Sequence, residues 1–459
     1  MTAAPPIFVA GAGLPGGEAR LMELAPVREA QVLVAGRKLL ATLAHPTAEA
    51  LPVGADVDGL LATLAERSAR GLRVAVLCSG DPLFFGLGSR LLEHFGQERL
   101  HFAPAPGTLQ AAAALCGLDV QSIRAVSLHG GRSRLPLLHA LMDGGPVLAL
   151  TDAASDPAGL AALLLERGFC GCTLHVLEEL FLDAEGAPAA RRHLRLSLQD
   201  AASRLRPSSA DTAGQEEFSP TAQRVLVFVP HEATPARCVF RPDAAYAAQG
   251  GLITKAPVRA AALALLGVEE ADTVWDLGAG SGAVGLEAAG LARRGLVAAV
   301  EAHPERAEQI RANRARFGVL HLEVVTASLP DALPRTPEEA GAVEVPLAIC
   351  SGEEHDSDCP KIPRLPRPKR IFIGGGLGSP EAAEEILRRA WACLLPGGRL
   401  VASCVLLGSM ERTRRFFAER SIEYGMEEIQ SRQAVPLAGD LRLVPDNPVF
   451  LVHATKGDV

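Results

Sequence analysis

A glycine-rich loop in the second half of the chain has residue types that could hold a nucleoside. The loop reads Trp275-Asp276-Leu277-Gly278-Ala279-Gly280-Ser281-Gly282, and it joins a strand-like apolar run to a helical pattern. Glycines let the backbone turn sharply and approach a ligand closely, because no Cβ intervenes. Glu301 ends the next strand-like run, where its carboxylate can accept both ribose hydroxyls. Asp276 is predicted to hold either the loop or an ammonium group of the ligand.

This loop leaves three interpretations open. It fits G-x-G-x-x-A, a dinucleotide fingerprint, so an oxidoreductase that uses NADP or FAD is one alternative. A tight structural turn without any ligand is another. The D-x-G-x-G-x-G form followed by Glu301 favours S-adenosylmethionine, whose carboxylate and ammonium need a different cradle from a pyrophosphate. We therefore predict an S-adenosylmethionine site at this loop.

The first half of the chain carries a second, different set of loops. Gly11-Ala12-Gly13-Leu14-Pro15-Gly16-Gly17 follows the first apolar run, and Ser79-Gly80-Asp81-Pro82 follows a later one. Gly80 permits close approach, Asp81 offers a carboxylate acceptor and Pro82 fixes the turn. The acidic residue that anchors ribose in a simple dinucleotide site is absent, because Ala35-Gly36-Arg37-Lys38 stands after the next run. An NADP site that uses an arginine stays open.

The order of apolar runs predicts two α/β domains, each with a mostly parallel sheet. Apolar runs of strand length alternate with helical patterns. They lie at 7–13, 31–36, 73–80, 101–105, 146–152, 173–180 and 224–230, and again at 273–280, 296–303, 321–328, 370–376 and 399–405. No internal repeat relates the two halves, so we predict different domains at 1–230 and 248–459. Residues 231–247 are predicted as the linker, and 335–369 as an insertion loop. The sequence ends in two extended segments around a Pro-Asp-Asn-Pro turn.

Composition limits the partners and the compartment. The chain has 459 residues, enough for two domains that each bury a core, and a formal net charge of -8, which offers no global basic field to nucleic acid or an anionic membrane. The nine cysteines include no C-x-x-C pair, and no stretch resembles a signal peptide or a membrane span. Cys350, His355 and Cys359 lack a fourth ligand, so we predict no metal site. We predict a soluble, cytoplasmic homo-oligomer that binds no nucleic acid and no membrane.

Four motifs in the second half together resemble a known family. They are the segment Ile253-Thr254-Lys255-Ala256-Pro257-Val258-Arg259, the glycine loop at 276–282, Ile373-Gly374-Gly375-Gly376 and Asn447-Pro448-Val449. This combination resembles the decarboxylating precorrin C15-methyltransferase domain of cobalamin biosynthesis, over about 250–459. The resemblance implies a Rossmann-like domain that uses S-adenosylmethionine.

The loops of the first half resemble another family. Ser79-Gly80-Asp81-Pro82 together with G-x-G-x-P-G at 11–16 is similar to the tetrapyrrole methylase superfamily. Pro104-Ala105-Pro106-Gly107-Thr108 and Ser127-Leu128-His129-Gly130 narrow the resemblance to its precorrin C5-methyltransferase branch, over about 7–230. This implies a fold of two α/β lobes with S-adenosylmethionine bound between them.

The two resemblances imply specific site residues and two S-adenosylmethionine sites per chain. The implied cofactor contacts are Pro15, Gly80, Asp81, Pro82 and Thr108 in the first domain, and Thr254, Asp276, Gly278, Ala279, Gly280, Ser281, Gly282, Glu301, Ala327 and Ser328 in the second. The candidate cations for a polycarboxylate tetrapyrrole are Arg37, Lys38, His129, Arg132, Lys255 and Arg259, since arginine pairs with carboxylate in a bidentate manner. The chain departs from the family patterns at Lys38, Leu39 and Ser328, which stand where the families carry Arg, His and Asp.

The function implied is methylation of a precorrin at carbons 5 and 15, with decarboxylation of the ring C acetate. Methyl transfer from a sulfonium needs no metal and no covalent enzyme intermediate, so the absence of a catalytic triad in the sequence is consistent with it. No acid or base is assigned to the decarboxylation, because the macrocycle itself can act as the electron sink. Besides the oxidoreductase, the alternatives are a methyltransferase acting on RNA or protein, and a non-catalytic binding role for one domain.

Overall fold

Two α/β units make up the described part of the chain. The computed structural model describes residues 5–151, 155–207, 216–218, 224–231, 239–248, 253–340 and 366–457. The first unit comprises Met1–Gly131, Gly145–Ala158 and Cys172–Pro230, and the second comprises Arg132–Gly144, Gly159–Gly171 and His231–Val459. The candidate metal ligands Cys350, His355 and Cys359, and most of the predicted insertion, lie outside the described residues. In the described part of the chain no helix combines the length and the apolar character needed to cross a membrane.

The first sheet of the first unit is parallel throughout. Its strand order is β3-β2-β4-β1-β5. The strands are β1 (Ile7–Gly11), β2 (Val32–Ala35), β3 (Glu49–Pro52), β4 (Val74–Cys78) and β5 (Leu100–Ala103), and the helices among them are α1 (Ala25–Arg28), α2 (Arg37–Leu43), α3 (Val57–Ala69) and α4 (Gly88–Phe95). Every residue of β1, β2 and β4 is buried, which is why these strands read as continuous apolar runs.

The second sheet of the first unit is mixed, so the prediction of a mostly parallel sheet is wrong there. Its order is β6-β7-β12-β8-β9, and only β6 and β7 run parallel. The long strands β8 and β9 form a hairpin, which makes this edge antiparallel. The strands are β6 (Arg124–Ser127), β7 (Val147–Thr151), β8 (Cys172–Leu182), β9 (Pro188–Ser197) and β12 (Arg224–Pro230), with a separate pair β10 (Leu205–Pro207) and β11 (Glu216–Phe218). The helices of the first unit in this stretch are α5 (Thr108–Cys116) and α8 (Leu198–Arg204). Between them in the sequence lie α6 (Leu135–Met142), which belongs to the second unit, and α7 (Pro157–Glu166), most of which belongs to it.

The second unit is built on a seven-stranded sheet of order β15-β14-β13-β16-β17-β21-β18. The strands from β15 to β17 are parallel, and β21 runs antiparallel between β17 and β18. The strands are β13 (Thr273–Leu277), β14 (Leu296–Glu301), β15 (Leu322–Thr326), β16 (Arg370–Ile373), β17 (Arg399–Cys404), β18 (Tyr424–Ile429) and β21 (Val449–Thr455), with a separate hairpin of β19 (Arg432–Leu437) and β20 (Asp440–Pro445). The helices are α9 (Ala256–Leu266), α10 (Ala283–Leu291), α11 (Pro304–Phe317), α12 (Pro380–Cys393) and α13 (Leu407–Glu419).

Both faces of this seven-stranded sheet are covered. Along β13, Trp275 and Leu277 belong to one buried cluster and Val274 to another, because successive side chains of a strand point to opposite faces. The chain reverses its direction of travel across the sheet between β13 and β16, which are neighbours. In open α/β sheets, ligands bind outside the carboxyl ends of the strands at such a switch point. The topology therefore directs attention to the loops that follow β13 and β16.

Two predicted features of chain organisation differ from the structure. Part of the predicted linker packs on the second unit: Tyr246 is buried and donates a hydrogen bond to Glu287 at 2.8 Å. The remaining linker residues 232–238 lie outside the described part of the chain. The two extended segments at the end of the sequence do not pair with each other, because β20 pairs with β19 whereas β21 enters the main sheet.

Candidate functional site

A cavity of about 770 Å³ opens at the carboxyl ends of β13, β14 and β16, at the switch point of the second unit. Most of the cofactor contacts predicted for the second half line it. These are Thr254, Gly278, Ala279, Gly280, Ser281, Glu301, Ala327 and Ser328. The predicted substrate contact Lys255 lines it as well.

The floor of this cavity is made by two glycine loops in direct contact. Gly278 has a φ of +71°, and a Cβ at this position would lie 2.7 Å from the Cα of Gly375. The loop after β13 and the loop after β16 therefore pass each other at a distance that only glycine permits. The amides of Gly278 and Ala279 both donate to the carbonyl of Val300, at 2.9 and 3.0 Å. These bonds fix the loop against the end of β14.

Glu301 is held at the edge of the cavity by the backbone. It ends β14 and is buried. Its Oε2 accepts from the amide of Gly280 at 2.8 Å, and its Oε1 accepts from the amide of His303 at 3.0 Å. A carboxylate has about four acceptor positions, so acceptor capacity is left for hydroxyl groups of a ligand. This arrangement fits the predicted ribose contact.

Asp276 lies beneath the glycine loop and does not line the cavity. Its Oδ2 accepts from the amide of Gly285 at 2.7 Å and so ties β13 to α10, whereas its buried Oδ1 has no hydrogen-bond partner among the described residues. Burial, together with the nearby charge of Glu301, raises the pKa of the Asp276 carboxyl to about 7. The position of Asp276 beneath the loop and its bond to Gly285 fit the predicted role of holding the loop.

Gly282 also lies outside the cavity lining, although the sequence predicted it as a cofactor contact. A Cβ at Gly282 would lie 2.7 Å from Cγ2 of Ile310 in α11. This glycine is therefore required for packing between two helices, and the predicted contact with the cofactor is not supported.

The pKa of Asp276 predicts a pH dependence of stability. The pKa of about 7 in the folded chain lies above the ordinary value of 3.8, so the folded protein binds the proton more tightly between about pH 4 and 7. The stabilisation that comes from this tighter proton binding by Asp276 is fully present below about pH 4 and is lost as the pH rises through about 7. In the cofactor-free protein we expect Asp276→Asn to flatten the fall in the free energy of unfolding between pH 4 and 7, measured by urea titration. Parallel curves for the two proteins would contradict this expectation.

In the first unit, two motif loops are joined by backbone hydrogen bonds. They follow the adjacent strands β1 and β4. The amide of Gly80 donates to the carbonyl of Gly13 at 2.9 Å, and the amide of Gly13 donates to the carbonyl of Gly80 at 3.3 Å. A Cβ at Gly11 would lie 2.6 Å from the carbonyl oxygen of Gly80. The two loops thus form one backbone-lined edge at the carboxyl ends of parallel strands.

Asp81 connects this edge to a third motif. Its Oδ1 accepts from the amide of Leu83 at 2.8 Å, and its Oδ2 accepts from the amide of Ala105 at 3.3 Å. The Pro104–Thr108 segment is thereby held beside the loop, with Thr108 as the first residue of α5. Gly80, Asp81, Pro82 and Thr108, all predicted cofactor contacts, lie together. Pro15 is exposed and its carbonyl accepts from the amide of Leu182 in β8.

Comparison with known proteins matches each half of the chain to a known family. A family described as tetrapyrrole (corrin/porphyrin) methylases matches residues 23–180, and one described as a precorrin methyltransferase domain matches 244–349 and 347–456. The precorrin-6Y C(5,15)-methyltransferase (decarboxylating) of Sinorhizobium sp is 32% identical over 388 residues, covering 84% of this chain and 81% of the relative. The chain belongs to this precorrin methyltransferase family. It is an S-adenosylmethionine-dependent enzyme, and the predicted α/β class and methyltransferase activity are confirmed.

Shorter relatives match parts of this methyltransferase. The cobalt-precorrin-7 C(5)-methyltransferase of Salmonella typhimurium is 34% identical over 145 residues, or 32% of this chain and 70% of the relative. The probable cobalt-precorrin-6B C(15)-methyltransferase (decarboxylating) of Pyrobaculum aerophilum is 28% identical over 208 residues, or 45% of this chain and 90% of the relative. The name of the Sinorhizobium protein contains two positions, 5 and 15. The Salmonella relative is named for position 5 and the Pyrobaculum relative for position 15.

The prediction that Arg259 of this methyltransferase contacts the substrate is wrong. Its side chain is fully buried. Its Nε donates to Glu287 at 3.0 Å and its Nη1 donates to Asp243 at 2.7 Å. Its guanidinium is therefore engaged inside the second unit, where it anchors the 241–246 segment. Lys255, by contrast, is partly exposed at the cavity, with its Nζ 3.8 Å from Asp243.

Removal of the Arg259 side chain should destabilise the second unit severely. Arg259→Ala leaves the carboxylate of Glu287 buried and without its cationic partner. Breaking a buried ion pair in this way costs about 3–5 kcal/mol. We expect a loss of this size in the free energy of unfolding, measured by urea titration. Arg388→Ala, which breaks an exposed pair with Glu385, is the control and should have little effect; equal losses for the two variants would refute the assignment.

Several polar residues of the cavity were not predicted as site residues. They are His303, Arg306, Ser403, Ser431, Asp446 and Asn447. His303 and Arg306 follow Glu301 closely, so their position after β14 is a signal that the sequence offered. Asp446 accepts from the Ser431 hydroxyl at 2.5 Å. These two residues join the β19–β20 hairpin to the main sheet, and no local pattern in the sequence predicted that connection.

The cationic candidates of the first unit, Arg37, Lys38 and His129, are all exposed. Arg132 is exposed as well but belongs to the Arg132–Gly144 segment of the second unit. Leu39, where the family carries His, is buried against the sheet and offers no polar contact.

Phe85 was not predicted as a site residue; it is 50% exposed and has a φ of +52° just after Asp81 and Pro82. A bulky side chain held in the left-handed region is uncommon and such residues cluster at functional sites, which makes Phe85 a candidate for contact with a flat substrate.

Proposed function

We propose that each unit binds one S-adenosylmethionine, and that the enzyme methylates a precorrin at carbons 5 and 15 and decarboxylates its ring C acetate. The observation that carries this proposal is the presence of two separate backbone-lined edges, each at the carboxyl ends of parallel strands. One lies in the segment matched by the tetrapyrrole methylases and the other in the segment matched by the precorrin methyltransferase domain. We assign the methylation of carbon 5 to the first unit. The methylation of carbon 15, together with the decarboxylation, is assigned to the second unit.

In the second unit, the cofactor would be held by the loop at 278–281, Thr254, Glu301 and the Ala327–Ser328 segment. When bound, S-adenosylmethionine supplies an electrophilic methyl group. The chain's own contribution is to orient the substrate carbon toward that methyl and to exclude water, and such positioning can contribute about 7–11 kcal/mol. Lys255, at the cavity, is the cation that would orient a substrate carboxylate.

In the first unit, the cofactor would be held by Pro15, the Gly80–Pro82 loop and Thr108. Asp81 acts mainly on the protein itself, since both its carboxylate oxygens accept from backbone amides. Arg37 and His129, with Lys38 as a further cation, would bind the substrate carboxylates, and Phe85 would pack against the macrocycle.

The test is a reaction with purified tetrapyrrole precursor and isotopically labelled S-adenosylmethionine. Mass spectrometry of the product should show the gain of two labelled methyl groups and the loss of one CO2. Parallel reactions with metal-free and cobalt-containing precursors decide which macrocycle is used. Calorimetry on the intact chain should give two cofactor sites. A product with neither change from either precursor, or a chain that binds NADP and not S-adenosylmethionine, would refute the proposal.

An RNA or protein substrate is less well supported, because the net charge is -8 and the family relatives are named for precorrins. A homo-oligomer and a cytoplasmic location stay predictions. The exposed apolar side chains of the β19–β20 hairpin, Leu437, Leu441 and Leu443, support self-association.

A further inference from the structure

The second sheet of the first unit carries a group of three metal-ligating side chains outside the motifs described above. Cys116 is the last residue of α5, His175 lies in β8 and His193 lies in β9. We call this group the Cys116–His175–His193 cluster. Its three potential ligand atoms, one sulfur and two ring nitrogens, all lie within 4.8 Å of one another.

The fold explains why these side chains meet. Leu177 lies opposite His193 in the β8–β9 ladder, and His175 is two residues from Leu177, so all three point to the same face of the sheet. Leu177 shares a buried cluster with Ala111 and Ala112 of α5, and Cys116 packs against the same cluster. The helix α5 therefore covers this face and delivers its carboxyl-terminal cysteine to the two histidines.

The distance between the two histidine nitrogens is close to that in a metal site. The Nδ1 of His175 and the Nε2 of His193 are 2.9 Å apart and share a hydrogen bond. In tetrahedral zinc sites with bonds of about 2.0–2.3 Å, ligand atoms lie about 3.3–3.6 Å apart. Small side-chain rotations would thus convert the hydrogen-bonded pair into two ligands. His175 and Cys116 are sheltered, whereas His193 is exposed and leaves one side open to solvent.

We propose that the Cys116–His175–His193 cluster binds a divalent, borderline-soft metal ion, Zn2+, with a water molecule as the fourth ligand. One thiolate and two imidazoles form a donor set that zinc accepts. Binding replaces the thiol proton of Cys116, which leaves to solvent as a sulfur–metal bond forms. The proton shared by the two histidines moves to the other nitrogen of the ring that carried it, so both facing lone pairs reach the metal.

The charges around the cluster are compatible with a bound cation. Burial raises the pKa of the Cys116 thiol to about 11, so the thiol stays protonated until a metal displaces the proton. Burial, with the nearby His193 and Arg195, lowers the pKa of His175 to about 4, so its ring is neutral and able to ligate near pH 7. Arg195 lies opposite His175 in the β8–β9 ladder, and the negative charge of the thiolate formed on binding offsets the repulsion between Arg195 and the metal ion.

A metal at this position would join α5 to the β8–β9 hairpin. The opposite end of α5 carries Thr108, beside the loops proposed to hold the first cofactor. The metal would therefore stabilise the element on which that site is built, without touching either cofactor or substrate. Its expected effect is a rise in thermal stability of the first unit.

The test uses the full-length chain after removal of metals with EDTA. Titration with Co2+ should give a thiolate-to-cobalt charge-transfer band and the visible bands of a four-coordinate site, saturating at one ion per chain and bleached by Zn2+. Cys116→Ser should abolish the charge-transfer band, and His193→Asn, a change at an exposed position, should weaken binding at least tenfold. Cys170→Ser, at an exposed cysteine, and the double variant Cys350→Ser/Cys359→Ser are the controls and should keep the band.

Zn2+ should also raise the melting temperature of the unsubstituted chain and of the control variants, but not that of Cys116→Ser or His193→Asn. A chain that shows no charge-transfer band, or a band that survives Cys116→Ser, would overturn the proposal. So would a band lost only in the Cys350→Ser/Cys359→Ser variant, because the metal would then bind elsewhere.

Discussion

Gly280→Arg should remove the cofactor site of the second unit and spare that of the first. Gly280 has a φ of +58°, lines the cavity and donates its amide to Glu301. An arginine there strains the backbone by about 1–2 kcal/mol and places a long side chain where the nucleoside is proposed to bind. We expect calorimetry to show one S-adenosylmethionine per chain instead of two, and CO2 release from the precursor to be abolished.

The control for this prediction is Gly439→Arg. Gly439 also has a positive φ, of +85°, but lies at the turn of the β19–β20 hairpin, where a Cβ would meet open space. This variant imposes similar backbone strain without filling the cavity, and it should keep both sites and CO2 release. If Gly280→Arg still binds two cofactors, the cavity of the second unit is not a cofactor site.

Gly11→Val should have the reciprocal effect. A Cβ at Gly11 would lie 2.6 Å from the carbonyl oxygen of Gly80 and 3.0 Å from Cδ of Pro82. The two joined loops must therefore separate to admit a side chain. Overpacking of this kind costs about 1–3 kcal/mol and here falls on the proposed cradle. We expect loss of the first cofactor site, with CO2 release retained and a product that gains one methyl group.

Gly54→Val is the matched control, because Gly54 is exposed and a Cβ there has no neighbour within 4 Å. It should keep both methyl additions. Circular dichroism should show that Gly11→Val remains folded. A folded Gly11→Val chain that still adds two methyl groups would refute the placement of the carbon 5 site at this edge.

The features that the sequence predicted well are those encoded within a short stretch of chain. A buried strand followed by glycines, as at β13 and the 278–282 loop, needs only neighbouring residues to be recognised. The next strand then ends at Glu301, and parallel pairing brings that carboxylate to the loop. The loops of the first unit follow the same logic, since β1 and β4 are adjacent parallel strands.

The features that were missed depend on partners distant in the sequence. Arg259 is indistinguishable from a substrate-binding arginine until Asp243 and Glu287 are placed around it. Part of the predicted linker contributes to a core for the same reason, since Tyr246 is buried by contacts with α10 and α11. The Cys116–His175–His193 cluster has no local pattern in the sequence, because Cys116 and His193 are brought together only by the β8–β9 hairpin and α5.

The contact between Gly278 and Gly375 has a consequence for how this enzyme could change over time. Because the floor beneath the proposed nucleoside consists of main chain, it has no side-chain rotamers that could readjust, and its shape is fixed by the sheet itself. The rim residues His303, Ser431 and Asp446 come from separate connections. Mutations at the rim could therefore change which macrocycle the enzyme accepts, while the proposed binding of the methyl donor stays the same.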